Sequence, residues 1–401
     1  MRTVALILVL PFLVFSNGVK EALYKTVERY LQRGNYIGAL EILHFLGDYK
    51  NSQSLYKKVA QFFTPPPAGF FKEEPLIRVK IAQGFKTVTL TCGGVEKNFE
   101  PLEGTEFTLK EGCFIRFDRK ASIKLPPNTE LRIFRYGGQP LAVALLPLET
   151  YLKGVLVGEV YLRWPLEVLK AQAVASRTYA LFNLYKARKK NLPYDVDATT
   201  DYQVFTTFAL DHPKVVRAVE ETRGEVLTYK GGIIYAMFHS NSGGCTANFG
   251  EITGLKIPYL TSVRENCNMA TLKWSHWNKN LSKERIKNFL KGVLGLNISQ
   301  VEDIEIKRGT CGRGLLITLK TDGGSVTLPL SIYFRLEMRI PSDWFFVIGK
   351  SGSSFVLAGK GFGHGLGMSQ WGAFCLANRG WDYKKILKFY YKGANIKRIY
   401  R

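Results

Sequence analysis

The chain has 401 residues, 46% of them hydrophobic and 22% charged, a composition typical of a globular protein and a length sufficient for two domains. Its 56 Lys and Arg residues outnumber its 33 Asp and Glu residues, so the formal net charge is +23 and an electrically neutral surface is excluded. Nucleic acid, an anionic membrane and an anionic cell-wall polymer would each complement such a surface.

The N-terminus distinguishes between these partners. Met1 and Arg2 form a short positive region, an almost unbroken apolar run follows from Val4 to Phe15, and small polar residues come next. This order is typical of an export signal, which we place at residues 1–18, and the run is too short for a comfortable membrane span. We therefore expect an exported protein of the periplasm or cell envelope. Its partners would not include nucleic acid, and it would meet a membrane only through an uncleaved signal anchor.

The cysteines show no C-x-x-C pair, so zinc-ribbon and iron–sulfur spacings are absent. In an oxidising compartment up to three disulfides could form, and the sequence leaves their connectivity open. The six residues are Cys92, Cys113, Cys245, Cys267, Cys311 and Cys375.

Changes in hydrophobic period divide the rest of the chain. Helical spacing predicts a hairpin at 19–63 that resembles one tetratricopeptide repeat, either a packing element or a partner-binding module. A Pro-rich linker follows at 64–74, and alternating residues then predict about seven short strands up to Leu146. The main domain is predicted at 75–397, with 272–360 as an inserted subdomain. The fold class expected is α+β, with a β-rich N-terminal half and a mixed core containing a cleft.

Glu159 lies in a predicted loop between two helical patterns, the first of which begins at Leu148. It is either a solvated loop carboxylate or a chemical group, and its apolar neighbours between Val157 and Trp164 favour partial burial. Burial disfavours the charged form of a carboxyl group, whereas Lys170 or Arg177 nearby would favour it. The sequence does not decide which effect is larger.

A second polar loop, at 239–245, reads His-Ser-Asn-Ser-Gly-Gly-Cys. His239 and Cys245 are a possible metal-binding pair, although this spacing is unspecific. Ser240 or Ser242 could act as a nucleophile, but the Gly-x-Ser-x-Gly order that would support this is absent.

The third polar loop, at 361–367, carries four glycines around His364. It is either a tight turn into a helix or a binding floor with exposed backbone N–H groups. It lacks the order of a phosphate-binding P-loop. Two glycines would suffice for a tight turn, so four glycines around one histidine favour a binding floor.

Together these segments resemble the family of stage II sporulation protein D and the amidase enhancer of bacterial cell walls. The resemblance extends over roughly 75–397, in order. The matching segments are 148–155, the stretch around Glu159, 171–181, 203–205, 238–244, 258–260, 333–335 and the His364 loop.

The resemblance implies a lytic transglycosylase that acts on peptidoglycan glycan strands, particularly strands without stem peptides. Glu159 would be the sole acid and base, and no cofactor would be required. Other members are described as enhancers of an N-acetylmuramoyl-L-alanine amidase, so a non-catalytic wall-binding activator of a cell-wall amidase is the alternative. By the same resemblance, the residues expected to bind substrate are Lys170, Arg177, Gln203, Ser240, Ser242, His364 and Gln370. Some relatives hold zinc through His and Cys, which makes zinc at His239 and Cys245 possible in this chain.

Overall fold

The computed structural model of the chain describes residues 17–100, 104–109, 113–118, 122–199, 202–267 and 273–401. Of the predicted export signal, only Asn17 and Gly18 lie within the described residues. Helices account for 36% and strands for 28% of the chain, and the strands form several separate sheets. The predicted α+β class is confirmed.

Helices and strands alternate in groups along the chain. The helices are α1 Asn17–Gln32, α2 Tyr36–Leu46, α3 Ser52–Ala60, α4 Leu148–Glu159, α5 Leu166–Lys189, α6 Pro213–Glu221, α7 Phe249–Thr253, α8 Lys283–Leu294, α9 Arg335–Glu337, α10 Gln370–Asn378 and α11 Tyr383–Tyr390. The strands are β1 Leu76–Gln83, β2 Val88–Cys92, β3 Val95–Phe99, β4 Thr105–Thr108, β5 Phe114–Phe117, β6 Glu130–Tyr136, β7 Gln139–Pro147, β8 Val196–Asp197, β9 Glu225–Tyr229, β10 Gly232–Ile233, β11 Phe238–His239, β12 Trp277–Ser282, β13 Val301–Arg308, β14 Gly314–Thr321, β15 Gly324–Pro329, β16 Phe345–Lys350, β17 Ser354–Gly359, β18 Met368–Ser369 and β19 Asn395–Arg398.

The described residues divide into two compact units. The first unit contains 17–62, 240–257 and 273–365, and the second contains the described parts of 63–239, 258–267 and 366–401. The helices predicted as a separate hairpin therefore belong to the same unit as most of the segment predicted as an insertion.

Burial of α2 explains this grouping within the first unit. Every residue from Ile37 to Leu43 is buried, and a helix that is buried on all sides is part of a core rather than of a free-standing hairpin. The buried carboxylate of Glu41 accepts hydrogen bonds from the backbone N–H groups of Ile332 and Tyr333, the latter over 2.7 Å. These donors belong to a π-helical turn, Leu330–Phe334, which precedes α9.

The sheets of the first unit are two antiparallel three-stranded arrangements, in the orders β13–β14–β15 and β12–β17–β16. In the second unit, a five-stranded sheet has the order β4–β6–β7–β1–β8, and only its β1–β8 pair is parallel. Seven strands lie between Leu76 and Pro147 among the described residues, which agrees with the number expected from residue alternation.

Helix α5 is the centre of the second unit. Nearly every residue from Val168 to Leu184 is buried, with Lys170 the exception, and small residues such as Ala171 and Ala175 allow neighbouring helices to approach closely. Helices α4, α6, α10 and α11 all pack on it, as does β9. The C-terminus of α4 and the N-terminus of α10 are thereby positioned against the same helix.

Three disulfides pair all six cysteines, and each pair lies within one unit: Cys92–Cys113 and Cys267–Cys375 in the second, Cys245–Cys311 in the first. This settles a connectivity that the sequence left open. Among the helices that the structure describes, none combines the length and the apolarity needed to cross a bilayer.

Candidate active site around Glu159

Glu159 is the last residue of α4 and does not lie in a loop as the sequence pattern suggested. The helix ends there because Val160 takes an extended conformation, with φ −130° and ψ 157°. Pro165 also disfavours helical backbone at Trp164, so α5 does not begin before the proline. The ring of Trp164 packs 4.8 Å from that of Trp371 on α10, centroid to centroid, which fixes the connection between α4 and α5.

Two glycines on α4 allow the segment 204–206 to lie directly against the helix. A Cβ atom on Gly154 would clash with the carbonyl oxygen of Thr206, and one on Gly158 would be 2.6 Å from that of Val204. Any larger residue at either position would push this segment away. The close approach brings the backbone of Val204 to the side chain of Glu159.

Both carboxylate oxygens of Glu159 have hydrogen-bond donors within the second unit. The backbone N–H of Val204 donates to Oε1 over 2.8 Å, and the amide nitrogen Nε2 of Gln370 donates to Oε2 over 3.2 Å. Gln370 is the first residue of α10, whose preceding residue, Ser369, accepts a hydrogen bond from the N–H of Gly372 and caps the helix. The carboxyl group is therefore held in one orientation from two sides.

A network of buried amides and hydroxyls supports Gln370. Its Nε2 is 3.5 Å from Oε1 of Gln172, whose own Nε2 donates to Oγ of Ser176 over 3.0 Å. Gln203 donates to the carbonyl oxygen of Ser176 over 3.2 Å and accepts from the hydroxyl of Tyr151 over 3.3 Å. Gln203 is fully buried in this network, so the prediction that its side chain binds sugar is corrected: it supports the site from behind.

The pKa of Glu159 is raised above its ordinary value, chiefly because burial disfavours the charged carboxylate. The hydrogen bonds from Val204 and Gln370 oppose this effect without cancelling it. The position at the C-terminus of α4 acts in the same direction as burial, since that end of a helix is the negative end of its dipole. Among the described residues, no charged group contributes to the shift, which answers the question that the sequence left open.

Arg177 does not line a groove, and this prediction is corrected. Its guanidinium is completely buried and forms two hydrogen bonds to the carboxylate of Glu149, over 2.9 and 2.6 Å, as well as one to the carbonyl oxygen of Glu225. Each member of such a bidentate, desolvated ion pair needs the other, because removal of one leaves a buried charge without a partner. A bound sugar has no access to it.

Lys170 also pairs with residues other than Glu159. Its ammonium lies 3.1 Å from Glu167 and 2.5 Å from Glu221, and its side chain is only 13% exposed. The cation that the sequence suggested as a neighbour of Glu159 is thus neutralised by two surface carboxylates.

The remaining predicted ligands of the substrate lie in the first unit. Ser240 and His364 are half-buried, whereas Ser242 is fully buried and its Oγ accepts a hydrogen bond from the N–H of Gly244. The side chain of Ser242 thus closes its own turn, which corrects the prediction that it contacts substrate.

The predicted metal-binding pair does not fit the structure. Cys245 is bonded to Cys311, so it has no thiolate to offer a metal, and this prediction is corrected. His239 is buried, and its Nδ1 lies 3.1 Å from the carbonyl oxygen of Leu366. The described residues contain no group of three or more His, Cys, Asp or Glu side chains that could hold a metal ion.

Sequence reasoning missed Arg313, which organises both glycine-rich loops. This buried arginine of the first unit donates to the carbonyl oxygens of Ser242 and Cys245, the latter over 3.0 Å, and pairs with Asp343. Glycine is favoured at position 365 beside this arginine, because φ is +77° there and a Cβ atom would lie 2.6 Å from the guanidinium. No pattern near Arg313 in the sequence indicated this role.

The network behind Glu159 was missed as well, although a signal existed. Gln172 and Ser176 are four residues apart on α5, so they lie on the same face of the helix. Two polar residues on a face that is otherwise buried indicate an internal hydrogen-bond network.

Comparisons with known proteins identify the relatives of this chain. Residues 136–229, which include Glu159, match the family described as Stage II sporulation protein, SpoIID. Residues 255–367 match a family described as Domain of unknown function (DUF8618).

Three relatives extend the match over most of the chain. An uncharacterized protein of Brachyspira hyodysenteriae is 38% identical over 66% of this chain and 71% of its own length. Stage II sporulation protein D of Bacillus amyloliquefaciens is 29% identical over 76% of this chain and 87% of its own length. The Amidase enhancer of Bacillus subtilis is 28% identical over 61% of this chain and 40% of its own length. The chain therefore belongs to the stage II sporulation protein D family of peptidoglycan-related proteins, which includes the amidase enhancer.

Proposed function

We propose that this protein is an exported lytic transglycosylase. It would cleave the bond between N-acetylmuramic acid and N-acetylglucosamine in peptidoglycan glycan strands, preferentially strands without stem peptides. The observation that carries the proposal is the environment of Glu159, a half-buried carboxyl group with a raised pKa and a donor on each oxygen. Family membership supports a peptidoglycan-related role.

In the first step, protonated Glu159 gives its proton to the glycosidic oxygen as the bond from that oxygen to C1 of the muramoyl ring breaks. A raised pKa favours this step because it keeps the carboxyl group protonated at higher pH. The N–H of Val204 and the amide of Gln370 then stabilise the carboxylate that remains.

In the second step, the Glu159 carboxylate removes the proton from the C6 hydroxyl of the same muramoyl ring. The C6 oxygen bonds to C1 and forms the 1,6-anhydro product, so no water is consumed. A glycosidase that uses water ordinarily needs a second carboxylate. The route through the C6 hydroxyl needs only one carboxyl group, because Glu159 gives a proton in the first step and takes one in the second.

The test compares wild type with Glu159→Gln on denuded glycan strands, with products identified by mass spectrometry. We expect 1,6-anhydro ends from wild type and a loss of at least about 10³-fold in rate for the variant, since the same group serves both steps. The exposed Glu302 on β13 offers a matched control, and Glu302→Gln should cleave at the wild-type rate. Equal cleavage by Glu159→Gln would remove the basis of the proposal.

The Amidase enhancer of Bacillus subtilis supports a second candidate, a non-catalytic activator of a cell-wall amidase. The same preparations separate the two functions when an N-acetylmuramoyl-L-alanine amidase is added to intact peptidoglycan. Stimulation of the amidase by both wild type and Glu159→Gln, without anhydro products from either, would favour the activator.

A further inference from the structure

An aromatic pair lies beside the His364 loop in the first unit. The rings of Trp274 and Phe362 are stacked, with centroids 4.4 Å apart and planes inclined by 26°. Phe362 is 38% exposed and Trp274 is half-buried, so the pair forms part of the surface of this unit. Neither residue is needed for the chemistry proposed at Glu159.

The backbone holds both rings in place. The N–H of Gly361 donates to the carbonyl oxygen of Trp274 over 2.7 Å, and Phe362 exchanges two backbone hydrogen bonds with Asn241, over 2.8 and 3.1 Å. The amide of Asn241 also donates to the carbonyl oxygen of Lys273 over 2.7 Å. A surface formed by two rings with fixed backbones loses little conformational entropy when a ligand binds.

Trp274 adopts a backbone conformation that bulky residues rarely take, with φ +65°. Such conformations cost of order 1–3 kcal/mol and persist where surrounding contacts impose them, commonly at ligand-binding positions. In this loop the imposed conformation brings the indole ring onto Phe362. A glycine or an asparagine would meet the backbone requirement more easily, which indicates that the indole itself has a use.

Positive charge lies next to the aromatic pair. The ammonium of Lys273 is 5.9 Å from the centroid of the Trp274 ring. Lys360, two residues before Phe362, lies over the ring of Trp344, 3.6 Å from its centroid. A flat apolar surface with cations beside it complements a ligand that has an apolar face and a negative charge.

We propose that Trp274, Phe362 and Lys273 form a sugar-binding subsite for a carboxylate-bearing amino sugar of the glycan strand. The C–H face of a pyranose ring would pack on the exposed aromatic surface, and the lactyl carboxylate of a muramoyl residue would meet the ammonium of Lys273. The choice of glycan as ligand rests on the function proposed above. Single-stranded nucleic acid also stacks on aromatic residues and carries negative charge, so it is the competing ligand in the test.

Binding is measured with the full chain carrying Glu159→Gln, so that strands remain intact. The probes are denuded glycan strands and a chitin oligosaccharide, which has the sugar rings but no lactyl carboxylate. Trp274→Ala and Phe362→Ala should each weaken binding of both probes about tenfold, in line with the loss of one stacked ring. Lys273→Ala should weaken binding of the strands and leave that of the chitin oligosaccharide unchanged.

The control is Phe208→Ala, because Phe208 is 75% exposed and belongs to the second unit. The Phe208→Ala variant should bind both probes with the affinity of the parent Glu159→Gln protein. Trp274→Phe retains a stacking ring and should restore most of the affinity lost in Trp274→Ala, which separates the role of the ring from an effect on folding. Three results would overturn the proposal: no binding of strands by the parent, unchanged affinity in both alanine variants, or displacement of strands by equimolar single-stranded DNA. Failure of Glu159 to catalyse cleavage would leave the binding result untouched, so the two proposals fail separately.

Discussion

The amide nitrogen of Gln370 donates to Oε2 of Glu159 over 3.2 Å, although 211 residues separate the two in the chain. Gln370 reaches this position because the cap of α10 places it at the first turn and because Gln172 accepts from the same nitrogen. The hydrogen bond favours the charged form of Glu159 and so works against burial.

Replacement of Gln370 by Leu should change both the rate and its pH dependence. Without the donor the pKa of Glu159 rises further, because one of the two hydrogen bonds that lower it is lost. The alkaline limb of kcat/KM, where the acid loses its proton, should therefore move to higher pH. The carboxylate formed after proton transfer loses a hydrogen bond, so kcat should fall about tenfold. An unchanged pH profile would contradict this role for Gln370.

Gly158→Ala should damage the site without altering any polar group. The added Cβ would lie 2.6 Å from the carbonyl oxygen of Val204, so this segment must move and the 2.8 Å hydrogen bond to Glu159 should break. We expect a loss of activity of at least about tenfold and a lower free energy of unfolding, by about 1–3 kcal/mol.

Gly292→Ala is the matched control for Gly158→Ala. Gly292 is an exposed residue of α8 with nothing within 4 Å of an added Cβ, so this change should stabilise the protein by about 0.5–1 kcal/mol. Measurements of activity and of urea unfolding on Gly158→Ala and Gly292→Ala test these two expectations. Full activity in Gly158→Ala would show that Glu159 does not need Val204.

Arg177→Met should destabilise the protein, whereas a direct role in substrate binding would chiefly raise KM. The substitution leaves the carboxylate of Glu149 buried without its partner, which costs about 3–5 kcal/mol. The double variant Glu149→Gln/Arg177→Met removes both charges and should recover part of that loss. Urea unfolding of wild type, the single variant and the double variant measures the free energy of unfolding of each protein. A normal free energy of unfolding in the single variant would contradict the structural role.

The buried Glu41 makes the stability of the first unit depend on pH. Burial raises the pKa of Glu41 to about 7. The backbone N–H groups of Tyr333 and Ile332 and the charge of Arg335 lower this pKa, and the charge of Asp343 raises it. Because the pKa of Glu41 is raised on folding, its contribution to the free energy of unfolding is fully present below pH 4.5, the ordinary pKa. That contribution is lost as the pH rises through 7, the pKa in the folded protein. The full loss is about 3 kcal/mol.

Glu41→Gln should remove this dependence. The free energy of unfolding of wild type, measured with urea, should fall between pH 5 and pH 7.5, whereas that of the variant should change much less. Glu302→Gln, which alters an exposed carboxylate of the same unit, should follow wild type. Parallel pH curves for wild type and Glu41→Gln would contradict the assignment.

Local signals predicted the elements well. The sequence predicts about seven strands up to Leu146 and a helix that begins at Leu148, and both agree with the structure, because periodicity and turn residues act over a few neighbouring positions. The sequence pattern ends α4 too early, because Gly158 is typical of a loop. In the structure this glycine remains helical, and the missing side chain accommodates the backbone of Val204.

Tertiary contacts explain the other differences. Nothing near Arg177 in sequence indicates that Glu149, 28 residues earlier, neutralises it, and nothing near Cys245 indicates a bond to Cys311. The family resemblance implies that Arg177, Gln203 and Ser242 contact substrate, yet each is fully buried among partners supplied by the fold. Burial depends on the whole packing arrangement, which sequence patterns do not specify.

The fate of water during cleavage tests the central claim most directly. Denuded glycan strands are digested by the wild-type protein in water labelled with heavy oxygen, and the new muramoyl ends are analysed by mass spectrometry. If Glu159 acts as sole acid and base, the new ends are one water lighter than a hydrolysed end and carry no label. Reducing ends that carry the heavy oxygen would show that water attacks C1, and would contradict the mechanism with one carboxylate.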